Sequence, residues 1–123
     1  MIGEVLVVDD EPDILNLTKL ILEKEGYRVK TAINSLDFDE KINEDTRLVI
    51  IDDVMPGKQG IEICRDLKRD KNTSHIPVIV FSASGSIEKK EAALKAGAQG
   101  FLLKPFTINE LTSIVRKYYH INK

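Results

Sequence analysis

Short apolar runs alternate with helix-period segments along the whole chain, and this alternation sets the fold. EVLVV (4–8), YRVKT (27–31), LVII (48–51), PVIVF (77–81) and GFLL (100–103) have the length and composition of strands, YRVKT being the most polar. After the first run, residues 13–25 place Ile14, Leu17, Thr18 and Ile21 on one helical face. Pro12 sits in the first turn, where it removes no helix hydrogen bond, and Gly26 ends the helix. Further helices are predicted over about 59–69 and 87–96, the second closing at Gly97. Thr107-Ile108-Asn109-Glu110 reads as a capping box opening a last helix with Leu111, Ile114, Val115 and Tyr118 as its apolar stripe. The segment 34–46 offers only Leu36, Phe38 and Ile42 as apolar anchors, so a short second helix is expected there. The result is a βα unit repeated five times. Three strands are apolar on both faces, as in a parallel α/β sheet covered by helices on both sides.

The polar residues gain meaning from that order. Ligands of open α/β sheets bind outside the carboxyl ends of the strands. The first strand ends at Asp9 and Asp10, the third at Asp52, the fourth at Ser82 and the fifth at Lys104, before Pro105. Parallel strands would bring all five to one edge. Two like charges about 5 Å apart repel by roughly 3 kcal/mol at an effective dielectric near 20, so three clustered carboxylates call for a cation. Hard oxygen donors suit Mg²⁺. An acid cluster with a hydroxyl and an ammonium can hold a metal and a phosphoryl group together, and a carboxylate there can be the nucleophile. Each residue has a plainer reading in isolation: Asp9 and Asp10 as a helix N-cap, Ser82 as a strand-end hydroxyl, Lys104 as a surface lysine. Their joint placement at strand ends favours the site.

Size and charge narrow the class. The 123 residues suit one domain spanning 1–123. A net charge of −2 gives no basic footprint, so no direct nucleic-acid binding is expected. No apolar stretch approaches the roughly 20 residues of a membrane span, so no membrane partner is expected. The one cysteine, Cys64, cannot form an internal disulfide and reads as a core residue. With no cationic start and no signal-peptide run, a cytoplasmic location is expected. His75 and His120 have no partners at metal-ligand spacing and read as surface residues. Ser86 to Lys89 matches a Ser-x-x-Lys pattern, read as coincidence.

VLVVDDE, VIIDDVMPGKQG, IPVIVFSAS and GAQGFLLKPF, in order and suitably spaced, resemble the receiver domain of two-component response regulators from Val5 to about Tyr119. The resemblance implies a doubly wound sheet in flavodoxin-like order 2-1-3-4-5. It implies that Asp52, four residues before Pro56, is the phosphoacceptor, with Ser82 and Lys104 as the hydroxyl and lysine. Lys104–Pro105 is then expected to be cis. Mg²⁺, or Mn²⁺ in its place, would be held by Asp10, Asp52 and the Val54 backbone carbonyl, with Asp9 acting through a metal-bound water. The implied donor is a sensor histidine kinase or a histidine phosphotransfer protein. Ser82 and Phe101 are the implied switch, Phe101 standing where many relatives have Tyr. The implied output is a protein target or a homodimer formed through the fourth helix, fifth strand and fifth helix. The implied kinase-facing surface includes Ile14, Leu15, Leu17, Pro105 and Phe106.

Two departures modify the picture. Val54 and Ser84, two residues past the acceptor and the hydroxyl, carry no carboxylate or amide to orient water, so slow dephosphorylation is expected. Asp53 replaces a commonly apolar residue; strand alternation is expected to turn it away from the site. Two other functions compete with this reading. A haloacid-dehalogenase-like phosphohydrolase normally has a second Asp two residues after its nucleophile, whereas Val54 follows Asp52 and Glu11 follows Asp9 at that spacing. An unphosphorylated receiver-like binding module usually lacks a key residue, and all are present here.

Overall fold

A computed structural model describes residues 3–119; His120 lies outside the described residues. Five strands, β1 (Glu4–Val8), β2 (Arg28–Ala32), β3 (Thr46–Asp52), β4 (Val78–Ser82) and β5 (Gly100–Leu103), alternate with α1 (Pro12–Lys24), α2 (Ser35–Lys41), α3 (Gly60–Arg69), α4 (Ile87–Lys95) and α5 (Ile108–Tyr119). All pairings are parallel and the strand order is β2-β1-β3-β4-β5.

Strand periodicity sorts the core into two layers. Leu6, Val8, Val49, Ile51, Val78 and Val80 face one side, where Phe38 of α2, Ile63, Cys64 and Leu67 of α3 and Ala93 of α4 cover them. Val5, Val7, Leu48, Ile50, Ile79 and Phe81 face the other, under Leu15, Ile21 and Leu22 of α1 and Leu111, Val115 and Tyr119 of α5. Burial on both sides is why β1, β3 and β4 read as nearly continuous apolar runs. The Thr107–Glu110 capping box forms reciprocally: the Thr107 amide donates to Glu110 Oε1 (2.8 Å) and the Glu110 amide donates to Thr107 Oγ1 (3.0 Å).

Helix phase differs from the expected pattern at two places. In α1 the buried stripe is Leu15, Thr18, Ile21 and Leu22; Ile14 is half-buried at its margin and Leu17 faces out. Leu15 therefore belongs to the core rather than to the kinase-facing surface. The cause is angular: 15, 18 and 22 stack at three- and four-residue steps toward the sheet, and 14 and 17 lie one position off that line. In α2, a seven-residue helix, only Phe38 is buried and Leu36 is exposed, so one side chain anchors the element.

Candidate functional site

Parallel register brings the carboxyl ends of β1, β3, β4 and β5 to one edge. Val8 pairs with Ile51, Asp52 with Phe81 and Ser82 with Leu103. The next residues continue the lattice: the Asp53 amide donates to the Phe81 carbonyl (2.9 Å) and the Lys104 amide to the Ser82 carbonyl (2.7 Å). Asp10, Asp52, Val54, Ser82 and Lys104 thereby line one open cavity of ≈ 590 Å³, room enough for a phosphoryl group and its water. Asp9 is fully buried and is not among the residues that line the cavity. The Lys104–Pro105 peptide is cis.

Lys104 ties the acids together. Its Nζ lies 2.9 Å from Asp9 Oδ2 and 2.9 Å from Asp52 Oδ1, with Glu11 Oε1 at 3.5 Å. Asp9 Oδ1 also accepts from the Glu11 amide (3.0 Å), so Asp9 braces the start of α1 without serving as its N-cap. Burial pushes the Asp52 carboxyl up to about 6; the Lys104 hydrogen bond opposes this, and the nearby Asp9 charge adds to the rise. Burial likewise raises Asp9, against the pull of Lys104. Burial alone would lower Lys104, but its hydrogen bonds to Asp9 and Asp52 outweigh that and hold the ammonium charged. Carboxylate oxygens of Asp9, Asp10 and Asp52 lie within 4.8 Å of one another, a hard, anionic donor set that fits a small divalent cation such as Mg²⁺.

Asp53 departs from the sequence expectation. It is buried and faces the cavity: Ser82 Oγ donates to Asp53 Oδ2 (2.8 Å), and Lys89 Nζ of α4 lies 3.2 Å from the same oxygen. Alternation fails here because β3 ends at Asp52 and the chain bends at the next residue. Sequence reasoning also missed Lys89. Its signal was the Ser-x-x-Lys pattern, whose basis is helix capping: Ser86 Oγ accepts from the Lys89 amide (3.2 Å), which fixes Lys89 on the first turn of α4.

The remaining predicted residues lie outside the cavity. Phe101 is half-buried on β5 against the α2–α3–α4 layer and borders a groove with Leu94, Ile114 and Tyr118. Phe106 is half-buried with its ring 5.0 Å from that of Phe81, while Pro105 is exposed.

The profile of the response regulator receiver domain matches residues 5–116. The chain belongs to this family. As a receiver it is 36% identical over 115 residues to the phosphate regulon transcriptional regulatory protein PhoB of Pseudomonas aeruginosa, covering 92% of this chain and 50% of that protein. It is 33% identical over 113 residues to the DNA-binding dual master transcriptional regulator RpaA of Synechocystis, covering 91% of this chain and 47% of that one. Among solved structures, a receiver domain protein from Clostridium thermocellum superimposes with a TM-score of 0.84 at 34% identity, over 96% of this chain and 94% of that one. A receiver domain of a Francisella response regulator gives a TM-score of 0.87 at 32% identity, over 98% and 99%. The chain spans about half the length of the curated relatives it matches. Receivers are signalling domains that bind Mg²⁺ at an acidic pocket, which is the character of the edge described above. Among the described residues, no helix of this receiver is long and apolar enough to cross a membrane.

Proposed function

We propose that this receiver accepts a phosphoryl group on Asp52 from a phosphohistidine of a sensor histidine kinase or histidine phosphotransfer protein, in the cytoplasm and with Mg²⁺ as cofactor. The observation that carries this reading is Asp52 itself: a carboxylate at a cavity wall, its Oδ1 held 2.9 Å from Lys104, with Ser82 ending the adjacent strand. An Asp52 oxygen attacks phosphorus, the P–N bond breaks with its electron pair passing to the imidazole nitrogen, and an acyl phosphate results. With a carboxyl at about 6, Asp52 is mostly ionised, hence nucleophilic, above neutral pH. Lys104 and the Ser82 hydroxyl supply hydrogen bonds to phosphoryl oxygens. Asp10, Asp52 and the Val54 carbonyl would hold Mg²⁺, with Asp9 behind them acting through water; Mn²⁺ fits the same donors. The bound ion would neutralise charge on the phosphoryl oxygens.

The output would follow from Ser82 and Phe101 and reach the face formed by α4, β5 and α5. Exposed Ile87, Leu94, Leu103 and Ile108 lie on these elements and suit a protein target or a second copy of this chain. Ile14, Leu17, Pro105 and Phe106 remain as the kinase-facing candidates once buried Leu15 is set aside. The net charge of −2 gives no reason to assign this chain direct nucleic-acid binding. The reading is tested by intact-mass measurement after incubation with acetyl phosphate and Mg²⁺. One phosphoryl adduct is expected on the wild type and none on Asp52→Asn; an unmodified wild type refutes it.

A further inference from the structure

We infer that Asp53 is a resting-state latch: a positioning residue that holds the Ser82 hydroxyl until a phosphoryl group arrives on Asp52. This rests on the proposed phosphorylation of Asp52 and adds to it a residue with no part in metal binding or catalysis.

Asp53 is a buried carboxylate, its side chain only 4% exposed. Such a charge is tolerated only with partners. Its partners here are the Ser82 hydroxyl at 2.8 Å and the Lys89 ammonium at 3.2 Å, both on Oδ2. The backbone fixes its place from two sides. The Asp53 amide donates to Phe81 of β4 (2.9 Å), and its carbonyl accepts from Gly60 at the start of α3 (3.2 Å). The acceptor is therefore rigidly presented.

Ser82 has one hydroxyl proton. It points to Asp53 Oδ2, or in the alternative rotor position to the Ser84 carbonyl at 3.0 Å, while Oγ accepts from the Ser84 amide (3.0 Å). It cannot bond Asp53 and a phosphoryl oxygen on Asp52 at once. A bond to a carboxylate is stronger than one to a neutral carbonyl, so Asp53 is the stronger competitor for the proton. Lys89 extends the latch: it belongs to the first turn of α4 and lines the same cavity, so the oxygen that holds Ser82 also holds α4. A phosphoryl group next door competes for both donors. Asp53 thus sets the threshold at which Ser82 and α4 leave their resting positions, and its removal favours the phosphorylated arrangement.

The test is a double-mutant cycle on beryllofluoride binding by the Mg²⁺-loaded protein, measured calorimetrically for wild type, Asp53→Ala, Ser82→Ala and the double variant. Asp53→Ala is expected to tighten binding on the order of tenfold when Ser82 is present, and less than about twofold when it is Ala. Equal gains in both backgrounds would mean that Asp53 acts as a bare negative charge, and would overturn the latch. So would the absence of any gain beside Ser82. Asp53→Asn keeps the side chain's volume should the alanine variant fail to fold. A smaller gain, of about threefold and again dependent on Ser82, is expected there, and no gain or a Ser82-independent one overturns the proposal. A wild type that binds no beryllofluoride refutes the phosphoryl-site reading itself and the latch with it; wild-type binding without coupling refutes the latch alone.

Discussion

At the residue scale, five carboxylates (Asp9, Asp10, Glu11, Asp52 and Asp53) share one strand edge with two ammonium groups, Lys89 and Lys104. Burial acts most strongly on Asp52, and the charges of Asp9 and Asp53 add to its effect. Its carboxyl is raised from 3.8 to about 6, so the folded state binds this proton more tightly than the unfolded state. The associated stability is fully present below about pH 4 and is lost as pH rises through 6. A two-unit rise corresponds to about 3 kcal/mol at most, and we expect about 2 kcal/mol after relaxation. Urea denaturation of the metal-free protein should therefore show Asp52→Asn to be more stable than wild type at pH 7.5, with the gap narrowing through pH 6 and closing below about pH 4; parallel profiles would contradict this. The acids at strand ends were legible because a parallel βα repeat fixes which residues reach the edge. Asp53 was not, because alternation stops with the strand, and a bend decided its direction. Nor was Lys89, since its partner is 36 residues away in sequence and only tertiary packing joins them.

At the element scale, the edge depends on how closely α3 approaches β3. A Cβ on Gly60 would overlap the Asp52 carbonyl oxygen, which makes this glycine a requirement of close approach. The helix start is held by Gln59, whose amide donates to Glu62 Oε1 at 2.9 Å in a capping box. Gly60→Ala must push α3 away from Asp52. We expect a loss of about 2–3 kcal/mol in urea unfolding, together with slower labelling by acetyl phosphate. Unchanged stability would show that α3 can shift freely. Most element positions were readable from periodicity and caps, as Thr107–Glu110 illustrates. The phase of α1 was harder to read, because apolar residues occur at 14, 15, 17, 20, 21 and 22, and only the angle of docking on the sheet selects Leu15 over Leu17. The small anchor of α2 was visible in its polar sequence, but the exposure of Leu36 was not.

At the scale of the whole molecule, a five-stranded parallel sheet with covered faces leaves its carboxyl edge as the place where charge can collect and ligands can enter. Because the carboxylates repel without a cation, Mg²⁺ should bind the folded state and raise the melting temperature by a few degrees at millimolar concentration. Asp10→Asn should raise the metal-free melting temperature and shrink the Mg²⁺ increment; a melt insensitive to both would mean the acids do not form a metal site. The fold class was the most legible level, since it needs only the order of apolar runs. The hydrogen bond between Ser82 and Asp53 was the least legible feature, since it depends on the bend that follows β3. The central claim is that Asp52, and not its neighbours, carries the phosphoryl group. Its most direct test is borohydride trapping of the protein treated with acetyl phosphate and Mg²⁺, followed by peptide mass spectrometry, which converts a phosphorylated Asp into homoserine. Homoserine at position 52 is the predicted result; homoserine at 9, 10 or 53, or none at all, would contradict the account.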